Sequence, residues 1–241
     1  MKSRRLTETD LANMSFQSPE AKRLRLSSII KPKRIVGSYE PFRSTAGDAL
    51  NEQFPFLDEA RGATPLGELE AVVAKACKGD PELLKMNLAV ARATHNHAVR
   101  EELTAERLEV RPITLAFGHT YTFGMPLILR SASRAFAAFP DLRRTQPLSP
   151  SGCRFVFSMM HERWRANYPD LANLQLAIWR YQNNADRTVR PIECLNSALL
   201  GYEALSADVA ETYAILHQLL EQEAESKRRG SGSAGPLFGA A

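Results

Sequence analysis

Long apolar runs are missing from this 241-residue sequence. No stretch approaches the roughly 18 uninterrupted apolar residues that a membrane helix needs. Lys2, Arg4 and Arg5 are not followed by the apolar core of a secretory signal, so a cytoplasmic protein without membrane attachment is expected. Cysteine is scarce and unpaired: Cys77, Cys153 and Cys194 lie far apart, which fits a reducing compartment better than a disulfide framework. Gly-x-x-x-x-Gly-Lys and Gly-x-Ser-x-Gly are both absent, which argues against nucleotide hydrolysis and a hydrolase nucleophile. Of the thiols, only Cys153, just inside a predicted helix N-terminus, has an activating context.

Metal spacing is lacking too. His95 and His97 fall two apart on a predicted helix and so point roughly 200° apart. His161-Glu162 begins like a zinc-protease motif, but Arg165 stands where the second histidine is required. No metal site and no cofactor are expected. His95, on the apolar face of its helix, reads as a satisfied buried histidine.

What is present is ordinary globular composition, 44% hydrophobic and 24% charged, with a net charge of +4 that is unevenly spread. Residues 1–36 hold Lys2, Arg4, Arg5, Lys22, Arg23, Arg25, Lys31, Lys33 and Arg34 against Glu8, Asp10 and Glu20. The positive balance therefore belongs to one end. Basic arms of this kind meet nucleic acid by releasing counterions from phosphates, or simply keep a protein soluble. Residues 1–36 are expected to be a largely flexible arm, with a short helix from Ser18-Pro19 to about Ile30. Residues 37–65 read as an irregular linker that wraps the core through Tyr39, Phe42, Phe54 and Phe56.

A single α/β domain is predicted over 66–229, followed by a flexible tail over 230–241. Leu66, Leu69, Val73 and Ala76 recur at helical spacing; Gly79 closes that helix, Asp80 caps the next and Pro81 fills its first turn. The second helix is predicted to continue to about Arg107. Three strands follow, over 113–117, 120–130 and 134–139; Ser149-Pro150 opens a helix, and Leu174–Tyr181 alternates as a strand. Residues 188–192 add an edge strand. A last helix, capped by Ser206, carries the stripe Val209, Tyr213, Leu216 and Leu220. The sum is a small mixed sheet in the order helix, three strands, helix, strand, flanked by helices, with a basic N-terminal arm and a C-terminal helix.

That order, together with the acid in Phe139-Pro140-Asp141-Leu142-Arg143-Arg144, resembles the restriction-endonuclease-like core of the PD-(D/E)XK nucleases over roughly Leu66–Tyr181. The resemblance implies a carboxylate near the second strand and an acid-x-lysine pair on the third, holding one or two divalent metals that activate water. Asp141-x-Arg143 stands where that pair would be, with arginine for lysine, and Glu68 or Glu70 matches the acid often supplied by the first helix. No acid occurs between Arg111 and Arg130, so the second-strand carboxylate is missing. One carboxylate holds Mg²⁺ weakly.

The leading expectation is thus a nucleic-acid-associated accessory protein with a catalytically incomplete core. Lys22, Arg23, Arg25, Lys31, Lys33, Arg34, Arg143, Arg144 and Arg154, with Ser149 and Ser151 at a helix N-terminus, would contact phosphates. Two alternatives stay open. One is a structural or adaptor subunit that docks on a protein partner, or on its own copy, through Tyr213, Leu216, Leu220 and the arm around Phe54-Pro55-Phe56. The other is an active Mg²⁺-dependent nuclease using Asp141, Arg143 and Glu70. Only the last is an enzyme.

Overall fold

Where a flexible arm is expected, the chain begins with two packed helices. The computed structural model describes residues 5–30, 38–54, 61–196 and 199–231; Lys31, Lys33, Arg34, Phe56 and the tail beyond Ser231 lie outside them. Helix α1 (Glu8–Met14) is capped by Thr7, whose hydroxyl accepts from the Asp10 N–H at 3.1 Å. Helix α2 (Pro19–Ile30) starts where Ser18-Pro19 predicts. Leu6, Leu11, Met14 and Leu26 are buried, and that apolar anchorage is what holds a basic segment against the body. Two short helices, α3 (Glu40–Ser44) and α4 (Ala46–Ala49), and a two-residue strand β1 (Glu52–Gln53) occupy the expected linker. Phe42 anchors there, fully buried, with its N–H bonded to Asn87.

Helices α5 (Leu66–Ala76) and α6 (Pro81–Arg100) meet at the expected boundary, where the Asp80 carboxylate accepts from the Leu83 N–H at 3.0 Å. α6 stops well before Arg107. Glu102 takes φ +50°, the Leu103 N–H closes onto the Ala98 carbonyl, and the chain leaves as strand β2 (Thr104–Arg107). The long strand expected over 120–130 is divided. Strands β3 (Ile113–Thr114) and β4 (Thr120–Tyr121) form a separate two-stranded ribbon, and the chain re-enters the main sheet as β5 (Leu127–Arg130). Gly124 makes that turn possible, with φ +112° and a position where a Cβ would lie 3.1 Å from the Ala138 carbonyl oxygen.

Strand β6 (Ala135–Asp141) leads to α7 (Pro150–Met160), capped by Ser149 and continued by a π-helical turn over His161–Ala166. Strands β7 (Gln175–Tyr181) and β8 (Val189–Glu193) and helix α8 (Tyr202–Ser231) complete the fold. The main sheet runs β1-β2-β5-β6-β7-β8. β6 and β7 pair in parallel, joined through α7, as do β1 and β2; the other neighbours are antiparallel. The expected mixed α/β sheet with a C-terminal helix is present.

Both sheet faces are covered, which is why β6 and β7 read as nearly continuous apolar runs. Ala137, Phe139, Leu176 and Ile178 face one core with Leu11, Leu26, Phe155, Val209 and Tyr213. Phe136, Ala138, Ala177 and Trp179 face the other with Phe42, Leu69, Val73 and Val90. The alternation is the strand period of two. One expectation fails here: Tyr213 and Leu216, taken for an exposed docking stripe, are fully buried, and Leu220 is partly buried. Their stripe is the face by which α8 packs on α2 and α7.

Candidate functional site

The end of β6 is where a reaction was expected. Asp141 is fully buried; its Oδ2 accepts from the Leu148 N–H at 2.9 Å and lies 3.7 Å from Arg180 Nε. Burial pushes this carboxyl above its usual value, opposed by the Leu148 N–H and Arg180. The backbone N–H and charge of Arg143 also reach Asp141, but its side chain bonds Asp10 at 2.5 Å, and Glu70 pairs with Arg92 at 2.6 Å. Each of the three has a different partner on a different element. Among the described residues, no three His, Cys, Asp or Glu side chains gather where they could hold a metal. At Cys153, burial raises the thiol, opposed by Arg180, so the helix N-terminus does not activate it.

The histidines exchange roles. His97, not His95, is the deeply buried one, stacked edge-on against Trp179 and accepting from Arg100 at 2.8 Å. His95 is half-buried and its Nε2 meets the Thr64 carbonyl at 2.8 Å.

The basic residues of α2 mostly face inward. Lys22 is fully buried, 2.7 Å from Asp208 and paired with Glu211, and Arg23 bonds Gln218 at 2.8 Å. Arg25 is partly buried, with Arg143 and Asp10 near it. Ser149 caps α7 and shares a 3.0 Å hydrogen bond with Ser151. Ser151, Arg144 and Arg154 are exposed. What was expected to be a phosphate-facing arm is, at Lys22 and Arg23, a seam between α2 and α8.

The segment after β1 has a different character. The Glu52 carboxylate takes Arg107 of β2 in a two-point pair, at 2.6 and 2.7 Å, fixing β1 at the sheet edge. The Gln53 side chain then bonds both backbone groups of Arg61: Oε1 accepts from its N–H at 2.8 Å and Nε2 donates to its carbonyl at 3.0 Å. Gln53 and Arg61 are thus held side by side. Phe54, at the exit, is exposed, and Pro55, Phe56 and Leu57 follow it in sequence. The sequence offers Phe54-Pro55-Phe56 here as a docking contact on its apolar content rather than on a motif.

Two comparisons bear on these features. The family model described as the sliding clamp-binding bacterial toxin SocB matches residues 9–226. The chain belongs to the SocB family. A relative, the DNA replication inhibitor toxin SocB of Caulobacter vibrioides, is 28% identical over 237 residues, covering 96% of this chain and 97% of the relative. No solved structure matches. Membership over nearly the whole length overturns the resemblance to PD-(D/E)XK nucleases. That resemblance leaned on element order, which mixed α/β sheets with a crossover helix share widely. The family also favours the docking alternative over the nucleic-acid one, because its description names a protein partner. Among the described residues, no helix is long and apolar enough to cross a membrane.

Proposed function

We propose that this protein binds a bacterial sliding clamp and thereby inhibits DNA replication, docking through the segment that opens at Gln53. The family match over residues 9–226 carries the reading. The relative described as a replication inhibitor, aligned almost end to end, supports the outcome. A protein held on the clamp denies that surface to whatever else must use it, so binding alone accounts for inhibition and no chemistry is required.

The choice of segment has its own support. Phe54 is exposed beside the sheet edge, and Gln53 just before it is hydrogen-bonded to both backbone groups of Arg61. Aromatic anchors supply most of the energy of small interfaces, and a tie of this kind reduces the entropy lost on docking. Surface plasmon resonance of the full chain against a purified bacterial clamp tests both parts. Phe54→Ala together with Phe56→Ala is expected to weaken binding about 10- to 100-fold, which corresponds to ~1.4–2.8 kcal/mol. Undiminished binding by the double variant removes the segment from the interface. No binding by wild type removes the function itself.

A further inference from the structure

A cleft of about 790 Å³ lies between the loop at Arg111–Thr114, the π-helical turn carrying Glu162 and Arg163, Tyr168, and Tyr202 at the start of α8. That volume is within the roughly 300–1,000 Å³ of small-molecule sites. Arg163 lines it while only 2% exposed. Its guanidinium is poorly satisfied. Nη1 is 3.5 Å from the Gly124 carbonyl, Nη2 is 3.4 Å from the Val110 carbonyl, and Nε is buried with no partner. Among the described residues no carboxylate forms an ion pair with it; the guanidinium carbon lies over the Trp164 ring, 4.7 Å from its centroid. Burial pulls its pKa down to about 10, with Glu8 and Tyr168 opposing, so it remains a cation at neutral pH.

A buried charge without a counter-ion is strongly unfavourable, because the ion gives up its hydration for nothing of equal strength. Retaining one beside a cleft makes sense when an anion completes it. Arg111, exposed, adds a second guanidinium to the lining, against the single carboxylate of Glu162. The aromatic walls are fixed through their hydroxyls: the Arg111 N–H donates to the Tyr168 oxygen at 3.0 Å, and Tyr202 donates to the Thr114 carbonyl at 2.8 Å. Rings held in this way offer faces to a base or sugar, and π-helical turns recur at ligand sites.

We propose that this cleft binds a small phosphate-bearing ligand, with Arg163 and Arg111 holding the phosphates and Tyr168 and Tyr202 accommodating any attached ring. The inference stands apart from clamp binding. Calorimetric titration of the full chain with ATP, inorganic pyrophosphate and adenosine, at matched ionic strength, is the test. ATP or pyrophosphate is expected to bind while adenosine alone does not, and ATP binding more tightly than pyrophosphate assigns the rings a part. Arg111 is exposed, so Arg111→Ala is the deciding variant. It should weaken the phosphate ligand at least tenfold and leave clamp affinity unchanged. No heat from either phosphate probe, or equal affinity in Arg111→Ala, overturns the proposal.

Discussion

Lys22 and Arg163 are both cations with almost no solvent exposure, on the same side of the sheet, and their surroundings treat them in opposite ways. At the α2–α8 seam, Lys22 reaches Asp208 at 2.7 Å and Glu211 beside it, and the Asp208 carboxylate also accepts from the Phe16 N–H at 2.9 Å. At the π-helical turn, Arg163 meets only two distant carbonyls and a ring face. The first cation is neutralised by its own chain, so its position is structural. The second has no carboxylate in ion-pair contact among the described residues, which is why we propose that a bound phosphate completes it. Equal burial, then, does not mean equal purpose. The counter-charge tells the two apart.

One substitution made at both places sharpens that contrast. Lys22→Met strands Asp208 in the interior, and a urea titration is expected to show a loss of about 3–5 kcal/mol, the usual cost of breaking a buried pair from one side. Arg163→Met removes a charge that makes no ion pair among the described residues and feels Glu8 only at longer range. Its stability should stay within about 1 kcal/mol of wild type, with a gain the preferred direction. A large loss at Arg163, or none at Lys22, breaks the comparison.

A third buried group gives the smallest effect and works by surrendering its charge. Burial holds the His97 pKa below the ordinary imidazole value, reinforced by Arg100 and Arg134 and opposed by Glu101. The folded state therefore binds its proton less readily than the unfolded chain does. The resulting stability is fully present above the unfolded value of about 6.5 and is lost as pH falls through that value toward the folded one. Urea midpoints at pH 7.5 and 5.5 should separate more in wild type than in His97→Asn. Equal separations would assign the acid sensitivity to other groups.

Legibility in the sequence follows how local the cause is. The α5–α6 boundary is readable because Gly79, Asp80 and Pro81 act within a few residues of one another. The central strands are readable because burial on both faces leaves an apolar run. α1 is not, since seven residues make a marginal helix and its support is tertiary: it packs so closely on α7 that a Cβ at Gly152 would sit 3.0 Å from the Ala12 carbonyl oxygen. β2 is missed because Glu102, rather than a glycine, supplies the positive φ that ends α6. Lys22 misleads for the same kind of reason, as a lysine almost always reads as surface unless its partners are known. Those partners are far away in sequence. The segment we propose for docking carries no recognisable spacing, and only its apolar content sets it apart.

That separation has a consequence for how the protein comes into being. Lys22 and Asp208 are 186 residues apart. At a synthesis rate of roughly 5–20 residues per second, the first helices wait on the order of 10–40 s before the residues that neutralise Lys22 leave the ribosome. Until then the seam cannot close, and the apolar face of α2 has no α8 to cover it. Folding of this chain is therefore expected to finish late in translation, with the nascent N-terminus open to chaperones and proteases for most of the time it takes to make the rest.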